Sequence, residues 1–79
     1  GLAGTVADMK VIFQTALGCN AALLIVAHNH PSGNLRPSKA DEELTRKIRN
    51  AGQMLELPLL DHLILTSEGC YSFADQGLL

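Results

Sequence analysis

Two histidines and an aspartate, His28, His30 and Asp41, are the residues whose types and spacing could do chemistry in this chain. In extended backbone, residues two apart project to the same side, so both imidazoles can converge on one ion. Asp41 is expected in the first turn of a helix that returns toward the same end of the strand. Two neutral imidazoles and one carboxylate make a zinc ligand set of the catalytic kind, with the fourth position left to water. Zinc held there would bring the pKa of that water to roughly 7 and supply a hydroxide nucleophile. Each piece also has an ordinary use on its own. A His-x-His pair occurs as surface polarity, Ser38 and Asp41 form an S-x-x-D capping box, and Pro31-Ser32-Gly33 suits any tight turn.

The elements that must position these residues can be read from hydropathy and punctuation. Met9, Ile12, Phe13, Ala16 and Leu17 recur at helical spacing behind the N-cap candidate Asp8, which predicts a helix over 8–17 that Gly18 stops, with Asn20 in the turn. Residues 21–27 are short and continuously apolar, the pattern of a strand buried on both faces. The polar run 28–37, with two prolines, reads as a loop. A second helix starts near Ser38 with Leu44, Ile48, Ala51 and Leu55 as its apolar stripe, and Pro58 marks the exit. A strand over 59–66, a Ser67-Glu68-Gly69 turn and a short strand over 71–73 come next, and Ser72 with Asp75 could start a last helical turn. A right-handed strand–helix–strand crossover would make the two main strands parallel.

Size and composition bound the rest. Seventy-nine residues fit one domain, 1–79, with a core that is marginal for its surface. A metal, a partner subunit such as a second copy, or flanking sequence is therefore expected to help, and the opening residues 1–5 read as the middle of a longer protein. The net charge of −2 argues against a general nucleic-acid binder. Five of six basic residues (Arg36, Lys39, Arg46, Lys47, Arg49) share a stretch with Asp41, Glu42 and Glu43, which reads as a solvated helix face. Cys19 and Cys70 belong to no C-x-x-C pattern and are expected as buried or half-buried free thiols. No run is long enough to span a bilayer and nothing resembles a signal peptide, so a cytoplasmic, soluble protein is expected.

His28-x-His30-Pro31, then Ser38 and Asp41, matches in spacing the JAMM signature of the JAB/MPN metalloprotease superfamily. The run His28-Asn29-His30-Pro31-Ser32-Gly33, Pro37-Ser38, Asp61-His62-Leu63-Ile64, Tyr71-Ser72-Phe73-Ala74 and Gly77-Leu78, with Gly4-Thr5 near the start, resembles the RadC branch over nearly the whole chain. The resemblance implies a three-layer α/β/α, cytidine-deaminase-like fold, here a partial domain without its N-terminal strands. It implies zinc on His28, His30 and Asp41, and a catalytic role for Ser38 in stabilising an oxyanion. It implies a peptide or isopeptide substrate and, through the family's conventional name of DNA repair protein, an association with DNA.

One part of the family pattern is missing. JAMM enzymes use an upstream glutamate as general base, and this chain has no glutamate before Glu42. Either that residue precedes this sequence or the site is not a hydrolase, and the chain as given is expected to be inactive or nearly so. Glu68 is the best substitute, though a turn residue by position; Glu42 and Glu43 point elsewhere on the helix. His62, beside Asp61, is expected at the opposite end of the parallel pair from the metal, roughly 20 Å away at about 3.3 Å per residue. It is read as a structural or interface histidine. The leading reading is a zinc-dependent hydrolase; the alternative is a non-catalytic, metal-stabilised module that binds protein or DNA. A deaminase lacks its His-x-Glu and Cys-x-x-Cys elements.

Overall fold

The structure, a computed structural model, describes residues 8–79. The Gly4-Thr5 feature lies outside them. Helix α1 (Met9–Gly18) starts on Asp8, whose carboxylate accepts the Lys10 N–H at 2.9 Å. At its other end Asn20, not Gly18, adopts the left-handed conformation (φ 55°). The Ala21 N–H then reaches the Ala16 carbonyl at 2.9 Å and the Asn20 N–H reaches that of Leu17, closing the helix.

Strand β1 (Leu24–Asn29) begins later than the apolar run predicts and continues through His28 into the polar stretch. Helix α2 (Lys39–Met54) carries the full capping box: the Ser38 hydroxyl accepts the Asp41 N–H, and the Asp41 carboxylate accepts the Ser38 N–H. It ends as α1 does, with Glu56 left-handed (φ 57°) and the Leu57 N–H on the Gly52 carbonyl at 2.7 Å. Gly52 is needed there, because a Cβ on it would lie 2.2 Å from the Leu57 oxygen. Strands β2 (Leu59–Thr66) and β3 (Gly69–Ser72) complete a sheet of order β1-β2-β3, parallel in the first pair and antiparallel in the second. The tail forms a hydrogen-bonded turn and not a helix, with the Asp75 N–H on the Ser72 hydroxyl.

Phe13 and Ala16 of α1, Ile48 of α2, and Leu24, Leu57 and Leu59 form one buried cluster, with Val26, Leu44 and Ala51 packed on it. Both helices thus cover the side of β1 that carries Leu24 and Val26. The other side is open among the described residues: Ile25 is 55% exposed and Leu60 is 54% exposed. The strand expected to be buried on both faces is therefore covered on one, because no described element packs on the second. The thiols are also exposed, Cys19 at the C-cap of α1 and Cys70 on edge strand β3.

A register break in β2 decides which of its side chains face the helices. Leu24 pairs with Leu59, but Ile25 pairs with Asp61, so Leu60 is an inserted residue, a β-bulge. Uninterrupted alternation from buried Leu59 would place Asp61 and Leu63 inside and turn His62 out. The bulge reverses that, and His62 and Ile64 are 1% and 0% exposed.

Candidate metal centre

Three elements meet at the C-terminal end of β1. His28 is held in the ladder opposite Ile64, and His30, one residue past the strand, keeps its N–H on the Leu65 carbonyl at 3.0 Å. The two imidazoles therefore keep the same-side projection of extended backbone. Asp41 comes from the first turn of α2, aimed by the capping box.

His28 Nε2 lies 2.9 Å from His30 Nε2 and 3.1 Å from Asp41 Oδ1, and His30 Nε2 lies 3.2 Å from Asp41 Oδ2. A tetrahedral zinc ion with ligand bonds of about 2.0–2.1 Å separates its donors by about 3.3 Å. The spacing fits a small ion at the centre of the three. All three side chains are mostly but not wholly buried, which leaves an open side for water or substrate. Burial would push the Asp41 carboxyl up. The Ser38 backbone and side-chain hydrogen bonds, with the neighbouring His28 and His30, outweigh that and hold it below the usual range. Asp41 is thus an anion at neutral pH.

The ring protons decide whether the histidines can serve as ligands. His30 Nδ1 lies 2.7 Å from the Asn34 carbonyl oxygen, which can only accept, so Nδ1 carries the proton and Nε2 is free. His28 Nδ1 has a different partner: His62 Nε2, at 2.8 Å. This overturns the expectation that His62 lies some 20 Å away. His62 is the fourth residue of β2 and pairs with Val26, two residues short of His28 and on the same face, so the rings meet diagonally. Behind it, His62 Nδ1 bonds the Thr45 hydroxyl, which reaches the Asp41 backbone carbonyl at 2.7 Å. The His62 ring stacks on Phe73, centroids 4.5 Å apart and planes within 7°. Burial first, and then the neighbouring His28, hold the His62 pKa below 6.5 against the pull of Asp41 and Asp61.

Asp61 makes no dyad with the His62 ring. Its carboxylate faces away and accepts the Ser72 hydroxyl (2.6 Å) and the backbone N–H groups of His62 (2.7 Å) and Ala74 (3.0 Å). Those bonds outweigh desolvation and lower its pKa. Glu68 is an exposed residue of the β2–β3 turn, and Glu42 and Glu43 are exposed on α2 beside Lys39, Arg46, Lys47 and Arg49, as a solvated face should be. Among the described residues, none of these glutamates joins the metal-type cluster. Ser38, exposed next to Asp41, gives one lone pair to the cap, which does not consume its hydroxyl proton.

Thr45 belongs to no motif, and its one signal in the sequence is a polar residue in the stripe that buries Ile48 and Gly52 one and two turns on. A cleft of about 250 Å³, walled by Ile12, Val26, Leu44 and Ile48, opens onto His28, Asp41 and His62. No helix among the described residues is long and apolar enough to cross a membrane.

Comparison with known proteins adds to this geometry. The family model described as the RadC-like JAB domain matches residues 1–78. A UPF0758 protein of Flavobacterium johnsoniae is 49% identical over 99% of this chain and 34% of its own length. Relatives bearing the same name in Haemophilus influenzae and Thermosynechococcus vestitus are 53% and 59% identical over 89% and 77% of the chain. The chain spans 32% and 24% of those two proteins, about a third or less in every case.

Proposed function

The chain belongs to the RadC-like JAB domain family, and from that premise we propose that it forms the zinc site of a JAMM-type metallohydrolase acting on peptide or isopeptide amides. The observation that carries the reading is the cluster itself: His28, His30 and Asp41 offer ligand atoms within 4.8 Å of one another, with both imidazoles hydrogen-bonded through Nδ1. Zinc held by these residues would supply Lewis acidity and an activated water as nucleophile.

The chain's own residues supply the rest. Asp41 brings the negative charge, and its carboxylate is oriented by the Ser38 N–H at 2.7 Å. The Ser38 hydroxyl donates toward the negative charge that develops on an attacked amide oxygen. The apolar walls of the cleft exclude water from one side of the site. Hydrolysis also requires a general base, which Glu42, Glu43 and Glu68 do not supply, since among the described residues none of them joins the cluster. The three-layer, deaminase-like arrangement belongs to the same proposal, and the open Ile25 and Leu60 face offers an apolar side for a further layer.

The test is hydrolysis of peptide and isopeptide amides by a chain as long as those relatives, purified with zinc. Turnover that a chelator abolishes, that zinc restores, and that Asp41→Ala lacks is expected. Stoichiometric zinc without hydrolysis of any amide would replace the enzyme with a metal-stabilised binding module.

A further inference from the structure

His28, unlike His30, has no carbonyl or carboxylate on its Nδ1; it has a buried second histidine. We propose that His62, anchored by Thr45, is a positioning residue that accepts the Nδ1 proton of His28 and so supports the ring form whose Nε2 is bare for the metal. This role rests on the metallohydrolase reading of the site and deepens it.

The chain of hydrogen bonds is continuous: His28 Nδ1 to His62 Nε2, His62 Nδ1 to the Thr45 hydroxyl, and that hydroxyl to the Asp41 carbonyl oxygen. Each neutral imidazole has one proton to place, and the hydroxyl has one. Only two orders satisfy every link between the rings. In the first, Thr45 donates to the Asp41 carbonyl and accepts from His62 Nδ1–H. His62 Nε2 then accepts from His28 Nδ1–H, and His28 Nε2 presents a lone pair to His30 and Asp41. In the second, every proton is reversed: Thr45 donates to His62, His62 to His28, and His28 Nε2–H points into the place an ion would occupy.

In the absence of an ion each order makes three hydrogen bonds, because in the second His28 Nε2–H donates to His30 Nε2 at 2.9 Å or to Asp41 Oδ1 at 3.1 Å. A cation among the three ligands removes that third bond and requires a bare His28 Nε2, so it selects the first order, in which Thr45 donates to the Asp41 carbonyl at 2.7 Å. That carbonyl belongs to the same residue whose carboxylate is the third ligand. His62 cannot turn away, because its ring is 1% exposed and stacked on Phe73. No buried side-chain polar atom among the described residues lacks a partner, so the network is closed. His62 touches no proposed ion and acts only through His28.

Two measurements on the full chain test this, each with Thr45→Val, which removes the hydroxyl but keeps the shape, and with Thr45→Ser, which keeps the hydroxyl. The first is the nitrogen-15 spectrum of the zinc-bound imidazoles. His28 Nδ1–H is expected to show a coupling across its hydrogen bond to His62 Nε2 in the wild type and in Thr45→Ser, and to lose it in Thr45→Val. The second is zinc affinity by competition with a chelator. It is expected to fall about 10- to 100-fold in Thr45→Val, the usual effect of losing such a supporting partner, and to recover in Thr45→Ser. A zinc-bound wild type without that coupling, or equal zinc affinity in wild type and Thr45→Val, overturns the positioning role and leaves the metal site standing. A wild type that binds no zinc overturns the metal reading and this proposal with it.

Discussion

The two histidines of the site make the same demand on the molecule and are served in opposite ways. His30 is steadied by its own loop: Nδ1 bonds the carbonyl of Asn34, four residues on, and the loop is closed by the Gly33 N–H on the His30 carbonyl and by short links from Asn34 to Ser32 and Arg36 to Asn34. His28 is steadied across the fold, by a histidine 34 residues away that a helix and a β-bulge bring underneath it. One support is local and solvent-exposed; the other is buried and exists only when the domain is folded. The loop side can therefore change with little cost to stability, whereas the strand side ties the site to the core.

The largest expected effect tests the strand side. His62→Ala removes a buried ring stacked on Phe73 and leaves Thr45 and His28 Nδ1 without their partner. It should cost about 3 kcal/mol, the range of large-to-small core changes that also orphan a polar group, read from urea denaturation of the full chain. A loss no larger than that of an exposed substitution would mean that His62 is not part of the core. Asp61→Ala, on the other face of the same strand, should cost about 2 kcal/mol through its charge-assisted hydrogen bonds to Ser72, His62 and Ala74. Its lowered pKa adds a pH signature. The folded carboxyl ionises below its usual 3.8, so its contribution is complete above that value and is lost as pH falls through the folded pKa. Asp61→Asn should flatten that acid limb, and an unchanged limb would mean that Asp61 does not contribute to it.

These two positions also mark what is legible in the sequence. The JAMM spacing, the capping box and the parallel crossover are written in local signals, and they lead to the cluster at His28, His30 and Asp41. The place of His62 is not written there. It depends on where β1 starts, at Leu24 and not residue 21, and on one inserted residue, Leu60, that changes which face His62 occupies. Neither has a signal in hydropathy alone. Thr45 is hidden for a related reason: a threonine on a helix gains its meaning from what packs on it, and here that partner comes from a strand 17 residues later.

On the loop side, Gly33 holds φ 81° at the turn that presents Asn34 to His30. Gly33→Ala should cost only about 1 kcal/mol, the ordinary penalty for a side chain in the left-handed region, and should still weaken zinc binding by disturbing the Asn34 carbonyl. Thermal melting beside chelator competition separates the two; a change in stability with no change in affinity would break the proposed link between loop and ligand. The smallest effect is a control away from the site. Glu56→Gly, at the left-handed end of α2, should stabilise the fold by about 0.5 kcal/mol and leave zinc affinity unchanged.

That His28, His30 and Asp41 form one metal centre is tested most directly by zinc X-ray absorption on the full chain after anaerobic reconstitution. The predicted result is one zinc per chain with only nitrogen and oxygen neighbours at about 2.0–2.2 Å, two of them imidazole. A sulfur neighbour at about 2.3 Å, which would bring in Cys19 or Cys70, or the failure to hold stoichiometric zinc at all, would contradict it.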